Sequence, residues 1–195
     1  MPDIILWDVM STLVYDPYMT EFPAFFNTTW PELLKVKHPT AWVDFELGRI
    51  TEQEFFAIFW PEFGDVNLDD FHQMLFDAYR YLPGIQTLLE DLSTQNLQMH
   101  TLSNYPVWYT IIEQKLNLSR FMDWSFVSCH MQVRKPDPLI YQRAADALGV
   151  SPERCIFVDD RGSNCKAAKA VGMHTVKFSD ADQLRQDIFS LIESR

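Results

Sequence analysis

The stretch ILWDVMSTLV, residues 5–14, decides how the rest of the chain is read. An apolar run from Ile4 to Trp7 leads straight into Asp8; small polar Ser11 and Thr12 follow, and Leu13 and Val14 resume the apolar character. Such a run reads as a buried strand that ends in a loop at the edge of a sheet. An aspartate at that place is suited to act as a nucleophile or a metal ligand. The position two residues on, where a second acid would assist it, is Met10.

The 195 residues are enough to bury a sizeable core, as one domain or as one domain carrying a smaller insert. Hydrophobic residues make up 47% and aromatics 14%, which excludes a disordered chain. The formal net charge of -11 disfavours nucleic acid or an anionic membrane as partner, so an anionic substrate would need local positive charge or a metal. Cys129, Cys155 and Cys165 lack paired metal-site spacing, and their odd number argues against a disulfide framework. Only Met1, Pro2 and Asp3 precede the first strand, and no apolar run approaches the roughly 18 residues of a membrane span. A cytosolic protein without a targeting segment is expected.

Two textures alternate, changing near residues 15 and 82. Residues 15–81 are aromatic-rich with helical periodicity, as expected of a small helical cap. Thr51 with Glu54 three residues on makes a capping box, Asn67 caps a second helix, and Pro39 marks a third start. The remainder, residues 1–14 and 82–195, alternates helix and strand, with strands expected at 97–102, 124–129, 155–158 and 174–178. This pattern implies an α/β core, a Rossmann-like parallel sheet with helices on both faces, whose ligands bind beyond the carboxyl ends of the strands.

Asp8, Ser103 with Asn104, Lys135, and Asp159 with Asp160 all fall at such places. Singly, each is an ordinary cap, turn or solvated charge. The adjacent acids after Ile156-Phe157-Val158 are harder to dismiss, because like charges held together call for a cation, and hard oxygen ligands suit Mg2+. Asn164 is placed to steady their loop, and Gly172 to end the helix behind it.

The order of these groups resembles the haloacid dehalogenase superfamily of aspartate-nucleophile hydrolases, over nearly the whole chain. Residues 5–13 are similar to its first motif, Leu102-Ser103-Asn104 to the second, Lys135-Pro136 to the third, and 158–164 to the fourth. The resemblance implies that Asp8 attacks phosphorus, Ser103 helped by the Asn104 backbone holds a phosphoryl oxygen, and Lys135 offsets the charge. It implies an Mg2+ site made by Asp8, the Met10 carbonyl, Asp159 and Asp160, and a small phosphorylated metabolite as substrate.

Phosphatases of the superfamily usually carry a second aspartate where this chain has Met10. General acid–base catalysis is worth ~10^2 to 10^4 in rate, so its loss slows such an enzyme without stopping it. Three readings stand: a slow phosphatase that draws its proton from water, substrate or a cap residue such as His72; a dehalogenase, against which the acid pair speaks; and a catalytically silent binding protein. Residues 6–17, 37–50, 102–116 and 134–138 further resemble the flavin mononucleotide (FMN) hydrolases of plant chloroplasts, which implies FMN cleaved to riboflavin and phosphate. Trp30, Trp42 and Tyr105 are candidates for a flavin platform, while Phe55, Phe56, Phe59 and Trp60 read as cap core.

Overall fold

The computed structural model describes residues 3–60 and 66–193. Five parallel strands, β1 (Ile4–Trp7), β2 (Gln98–Ser103), β3 (Asp123–Val127), β4 (Cys155–Asp159) and β5 (His174–Lys177), form one sheet in the order β3-β2-β1-β4-β5. The two central strands explain their unbroken apolar runs. Ile5, Trp7, Ile156 and Val158 join one core cluster, and Ile4, Leu6, Cys155 and Phe157 the other. Each face is therefore buried, as a parallel sheet demands.

Helices α9 (Pro138–Leu148) and α10 (Gly162–Ala170) cover one face through Ile140, Tyr141, Ala144 and Ala168. The other face lies under α6 (Ile85–Ser93), α7 (Tyr109–Leu116) and α11 (Ala181–Glu193). All three cysteines are buried, and none is in a disulfide. Among the described residues no helix is long and apolar enough to cross a membrane.

The chain leaves and rejoins this core side by side. Val14 pairs antiparallel with Tyr81, the Tyr15 amide donates to the Arg80 carbonyl at 2.9 Å, and the Leu82 amide to the Leu13 carbonyl at 2.9 Å. Between the crossings lie α1 (Glu21–Phe25), α2 (Trp30–Val36), α3 (Ala41–Glu46), α4 (Glu52–Phe59) and α5 (Leu68–Ala78). Thr51 and Glu54 form the capping box at α4, and Asn67 caps α5. Phe22, Phe55, Phe59 and Phe71 are wholly buried in the layer these helices make. Trp108, at the start of α7, packs edge-on against Phe22 and Phe55, which ties this layer to the core.

The third strand is shorter than expected. Pairing stops at Val127, opposite Ser103, the last residue of β2, and Ser128 and Cys129 turn instead into the short helix α8 (Ser128–Met131). The Ser128 hydroxyl explains the departure: it donates to the Glu46 carbonyl at 2.5 Å and accepts from the Tyr105 amide at 3.0 Å, bonds that face away from a ladder. The same seam seats Gly48, whose φ of +66° and missing Cβ let α3 close against the Cys129 carbonyl.

This seam generates a paired prediction. Gly48→Ala adds a methyl that overlaps the Cys129 backbone, whereas Gly149, with a similar φ of +67°, has open space around it. The left-handed backbone alone costs a non-glycine residue roughly 1–2 kcal/mol. Urea unfolding is expected to show Gly149→Ala losing about that much and Gly48→Ala clearly more; equal losses would mean that the α3–α8 contact contributes nothing.

Candidate active site

β1, β2 and β4 are adjacent, so their carboxyl ends deliver Asp8, Ser103 and Asp159 to one edge of the sheet. Asp8 extends the ladder by one bond, its amide donating to the Val158 carbonyl at 2.9 Å. The loop between α8 and α9 brings Lys135 between the acids. Its ammonium donates to Asp8 Oδ1 at 2.6 Å and Asp159 Oδ2 at 2.7 Å, with the lysine side chain 1% exposed. Burial opposes the charge on Lys135, but the two carboxylates overcome it and raise its pKa.

Asn104 holds that lysine by its backbone. Its Nδ2 donates to the Lys135 carbonyl at 2.9 Å, and its Oδ1 accepts from the Lys135 amide at 2.8 Å. Asn164 holds the second acid by its side chain, donating to both oxygens of Asp159 at 3.0 Å, while the Arg161 amide donates to Asp159 Oδ1 at 2.8 Å. With Lys135 on Oδ2, both carboxylate oxygens of Asp159 are occupied. Asp160, next along the chain, is only partly buried, and its carboxylate accepts no side-chain bond among the described residues.

Thr12 is a site residue that sequence reasoning left among the small polar positions of the first loop. Ser11 takes a left-handed φ of 60°, and the Leu13 and Val14 amides turn back to the Val9 carbonyl, each at 2.9 Å. That turn drives the fully buried Thr12 inward. Its hydroxyl donates to Asp8 Oδ2 at 2.9 Å and accepts from the Asp160 amide at 3.1 Å, so one side chain spaces two of the acids. The signal was a hydroxyl in an otherwise apolar run, but only the fold shows its partners.

Asp8, Asp159 and Asp160 offer carboxylate oxygens within 4.8 Å of one another. Three carboxylates against one ammonium leave two formal negative charges, which is the charge of one divalent cation. The electrostatics register the excess. Burial, with Asp159 and Asp160 adding to it against Lys135, raises the Asp8 carboxyl to about 7, and burial and then Asp159 raise that of Asp160. The bonds that bracket Met10, from Val14 to the Val9 carbonyl and from Ser11 to the Val14 carbonyl, leave its own carbonyl outside the ladder. An all-oxygen set of this kind fits Mg2+.

Above the acids lies a cavity of about 220 Å³, bounded on the sheet side by Asp8, Met10, Asn104, Lys135 and Asp160, and on the other side by Asp16, Tyr18, Trp42 and Glu46. Arg134 on the core loop meets Glu46 on α3 at 2.9 Å, an ion pair without hydrogen-bond angles that spans the cavity rim. Tyr105 completes the aromatic wall, its hydroxyl 2.6 Å from that of Tyr79.

Two expected residues lie elsewhere, and a third stands behind the wall. Trp30 packs edge-on against Tyr18, 4.8 Å between ring centroids, and does not reach the cavity. His72 is held by Glu52 at 2.7 Å, joining α5 to α4, and so is no candidate for the cavity's proton source. Ser103 is wholly buried behind the cavity wall, and its hydroxyl has no bonding partner among the described residues.

A family profile described as haloacid dehalogenase-like hydrolase matches residues 2–172. The chain belongs to the haloacid dehalogenase-like hydrolases. It is 43% identical over 188 residues to flavin mononucleotide hydrolase 1 of the Arabidopsis thaliana chloroplast, covering 96% of this chain and 77% of that protein. A haloacid dehalogenase family enzyme of Bacteroides thetaiotaomicron, solved with magnesium and inorganic phosphate, superposes with a TM-score of 0.77 at 20% identity, over 94% of this chain and 99% of that one. L-2-haloacid dehalogenase of Xanthobacter autotrophicus gives 0.63 at 19% identity, over 97% and 83%. Both structures share the fold of this hydrolase.

Two predictions rest on the site. Thr12→Val keeps the shape but strands Asp8 Oδ2 and the Asp160 amide, at a cost of about 1–3 kcal/mol for a buried unpaired group; unfolding titrations are expected to show that loss, and an unchanged midpoint would remove Thr12 from the network. A raised acid pKa costs nothing below the ordinary carboxylate range, and the cost grows with pH until the group is ionised, for Asp8 near 7. Metal-free protein therefore loses stability from Asp8 as pH climbs toward 7, and a cation that favours the carboxylate restores it. Thermal melts should show Mg2+ raising Tm more at pH 8 than at pH 6, and a larger shift at pH 6 would contradict the charge assignment.

Proposed function

We propose that this chain is an Mg2+-dependent phosphomonoesterase that works through an aspartyl phosphate on Asp8, with FMN as its preferred substrate. The observation that carries the reading is the Lys135 ammonium fixed between Asp8 and Asp159 with the Asp160 carboxylate, free of any side-chain bond among the described residues, beside them. A dehalogenase has no use for two surplus negative charges at its nucleophile, and a binding protein has no need of a nucleophile aligned by both Lys135 and Thr12.

Asp8 Oδ2 is held by Thr12 and Oδ1 by Lys135, which orients the carboxylate for attack on phosphorus. Asp8, Asp160 and the Met10 carbonyl are the groups that would hold Mg2+, and Asp159, already saturated, anchors Lys135. When bound, Mg2+ supplies the charge that lets a phosphate anion approach three carboxylates. Lys135 neutralises charge on the phosphoryl oxygens as it transfers. The unpartnered Ser103 hydroxyl becomes a donor to one of those oxygens.

The identity to the Arabidopsis protein over 96% of the chain supports FMN, as does the wall of Tyr18, Trp42 and Tyr105, which suits stacking on a flat ring. The cavity of about 220 Å³ accommodates a phosphoryl group and part of a sugar-like chain. Typical sites for larger ligands run from roughly 300 Å³ upward, so the cavity itself takes the phosphoryl end and the ring is left to its aromatic rim.

The test is phosphate release from FMN, p-nitrophenyl phosphate and sugar phosphates, with Mg2+ or with EDTA. Mg2+-dependent release, highest on FMN and abolished in Asp8→Asn, is expected. Ser103→Ala should retain wild-type stability, since it deletes a buried hydroxyl that bonds nothing, yet lose about 10^2- to 10^3-fold in kcat, the usual cost of one transition-state donor. Folded, Mg2+-binding protein that releases no phosphate from any ester would overturn the phosphatase reading.

A further inference from the structure

Cleavage of an alkyl phosphate expels a basic alkoxide, and the later attack of water needs a base. The thioether of Met10 moves no proton. Carboxylates on the cavity wall are then the natural candidates, and they are Asp8, Asp160, Glu46 and Asp16. Asp8 and Asp160 are committed to the nucleophile and the cation, and Glu46 faces Arg134 at 2.9 Å in its ion pair.

Asp16 is different. It stands where the chain crosses out of the core, one residue after Tyr15, whose amide is tied to the Arg80 carbonyl, so the core fixes its position. Its Oδ1 accepts from the Tyr18 amide at 3.0 Å, capping the 3-10 turn Pro17–Met19. Its other oxygen is bonded to no described residue. The charged groups facing it are Arg161 and Asp160 from the β4–α10 turn and Glu21 from α1, with the hydroxyls of Tyr18, Tyr79 and Tyr105 nearby.

We propose that Asp16 is the proton donor and acceptor of the reaction, in place of an acid beside Asp8. The inference rests on the phosphatase reading above. In the first step an Asp8 oxygen bonds to phosphorus, the P–O ester bond breaks, and the Asp16 proton passes to the leaving oxygen, releasing the alcohol. In the second, water attacks the aspartyl phosphate, its proton returns to the Asp16 carboxylate, and the Asp8–phosphorus bond breaks to free phosphate. Desolvation by burial raises the Asp16 pKa, with Asp160 and Glu21 adding to it against the Tyr18 amide and Arg161, which keeps the donor form populated at higher pH.

Asp16→Asn tests this, because asparagine preserves the capping oxygen but carries no transferable acid proton. Asp16→Ser, also a good cap, serves as the second variant. With Mg2+ present, kcat on FMN or another alkyl phosphate is expected to fall about 10^2-fold or more, whereas p-nitrophenyl phosphate, whose leaving group needs little protonation, should still phosphorylate Asp8. That ester is therefore expected to give a burst of one p-nitrophenol per site followed by a slow steady state, with Tm and the Mg2+-induced Tm shift as in wild type. Equal losses on both esters without a burst, or rates equal to wild type on both, would overturn the role of Asp16. Wild-type protein inactive on both esters would instead overturn the phosphatase reading, and the role of Asp16 with it.

Discussion

One buried ammonium organises this molecule's chemistry. Lys135, 1% exposed, sits 2.6 Å from Asp8 and 2.7 Å from Asp159, acids delivered by neighbouring strands β1 and β4. Removing one partner of a buried ion pair commonly costs about 3–5 kcal/mol, because a bare charge stays behind. Here the lysine answers two carboxylates at once, and Asn104, just past β2, clamps its backbone through two hydrogen bonds. The three strand ends are thus joined through a single residue. Its charge satisfies the acids only in part, and the remaining two negative charges match in magnitude the charge of one divalent cation.

The layer of α1–α5 supplies a different kind of order. Its core is aromatic, with Phe55 stacked between Phe45 at 4.7 Å and Phe59 at 4.5 Å, so it is held by apolar burial and ring packing rather than by a sheet. Its attachment to the core is polar at the cavity rim: the Ser128–Glu46 hydrogen bond and the Glu46–Arg134 ion pair. Glu46 is buried, and desolvation raises its pKa in spite of Arg134. Behind that rim the two layers share one apolar cluster through Trp108, so the polar contacts close the cavity mouth while burial holds the layers together.

Much of this was legible in the sequence because it depends on local patterns. Unbroken apolar runs marked β1 and β4, Thr51 and Asn67 announced their helices, and Gly149 its helix end, with φ of +67°. Asp8, Asp159 and Asp160 were visible as acids ending apolar stretches, and Lys135, a loop charge by itself, through its place in the order of motifs. The misplaced residues share a cause: their surroundings come from segments distant in the chain. His72 was drawn away by Glu52, twenty residues earlier, and Ser128 left its strand for a carbonyl on α3. Thr12 stood among the small polar residues of a loop and Asp16 carried no local signal, and their importance lies in partners about 148 and 145 positions away, respectively Asp160 and Arg161. Periodicity does not encode such pairings.

The substitution of an apolar side chain at residue 10 is also consistent with the rest of the site. The Val14 bonds that bracket Met10 shape its main chain whatever the side chain, so the carbonyl remains available to a cation. The side chain itself is 8% exposed and belongs to the core cluster while forming part of the cavity wall. An apolar wall there keeps water from the face of Asp8 and lowers the local dielectric, which strengthens the pull of Lys135 on any phosphoryl oxygen. It also removes a fourth negative charge from a cluster that already carries three against one. On the phosphatase reading proposed above, the site exchanges proton transfer beside the nucleophile for a drier and less repulsive approach to an anion, an exchange that works only if a proton is handled from elsewhere on the wall.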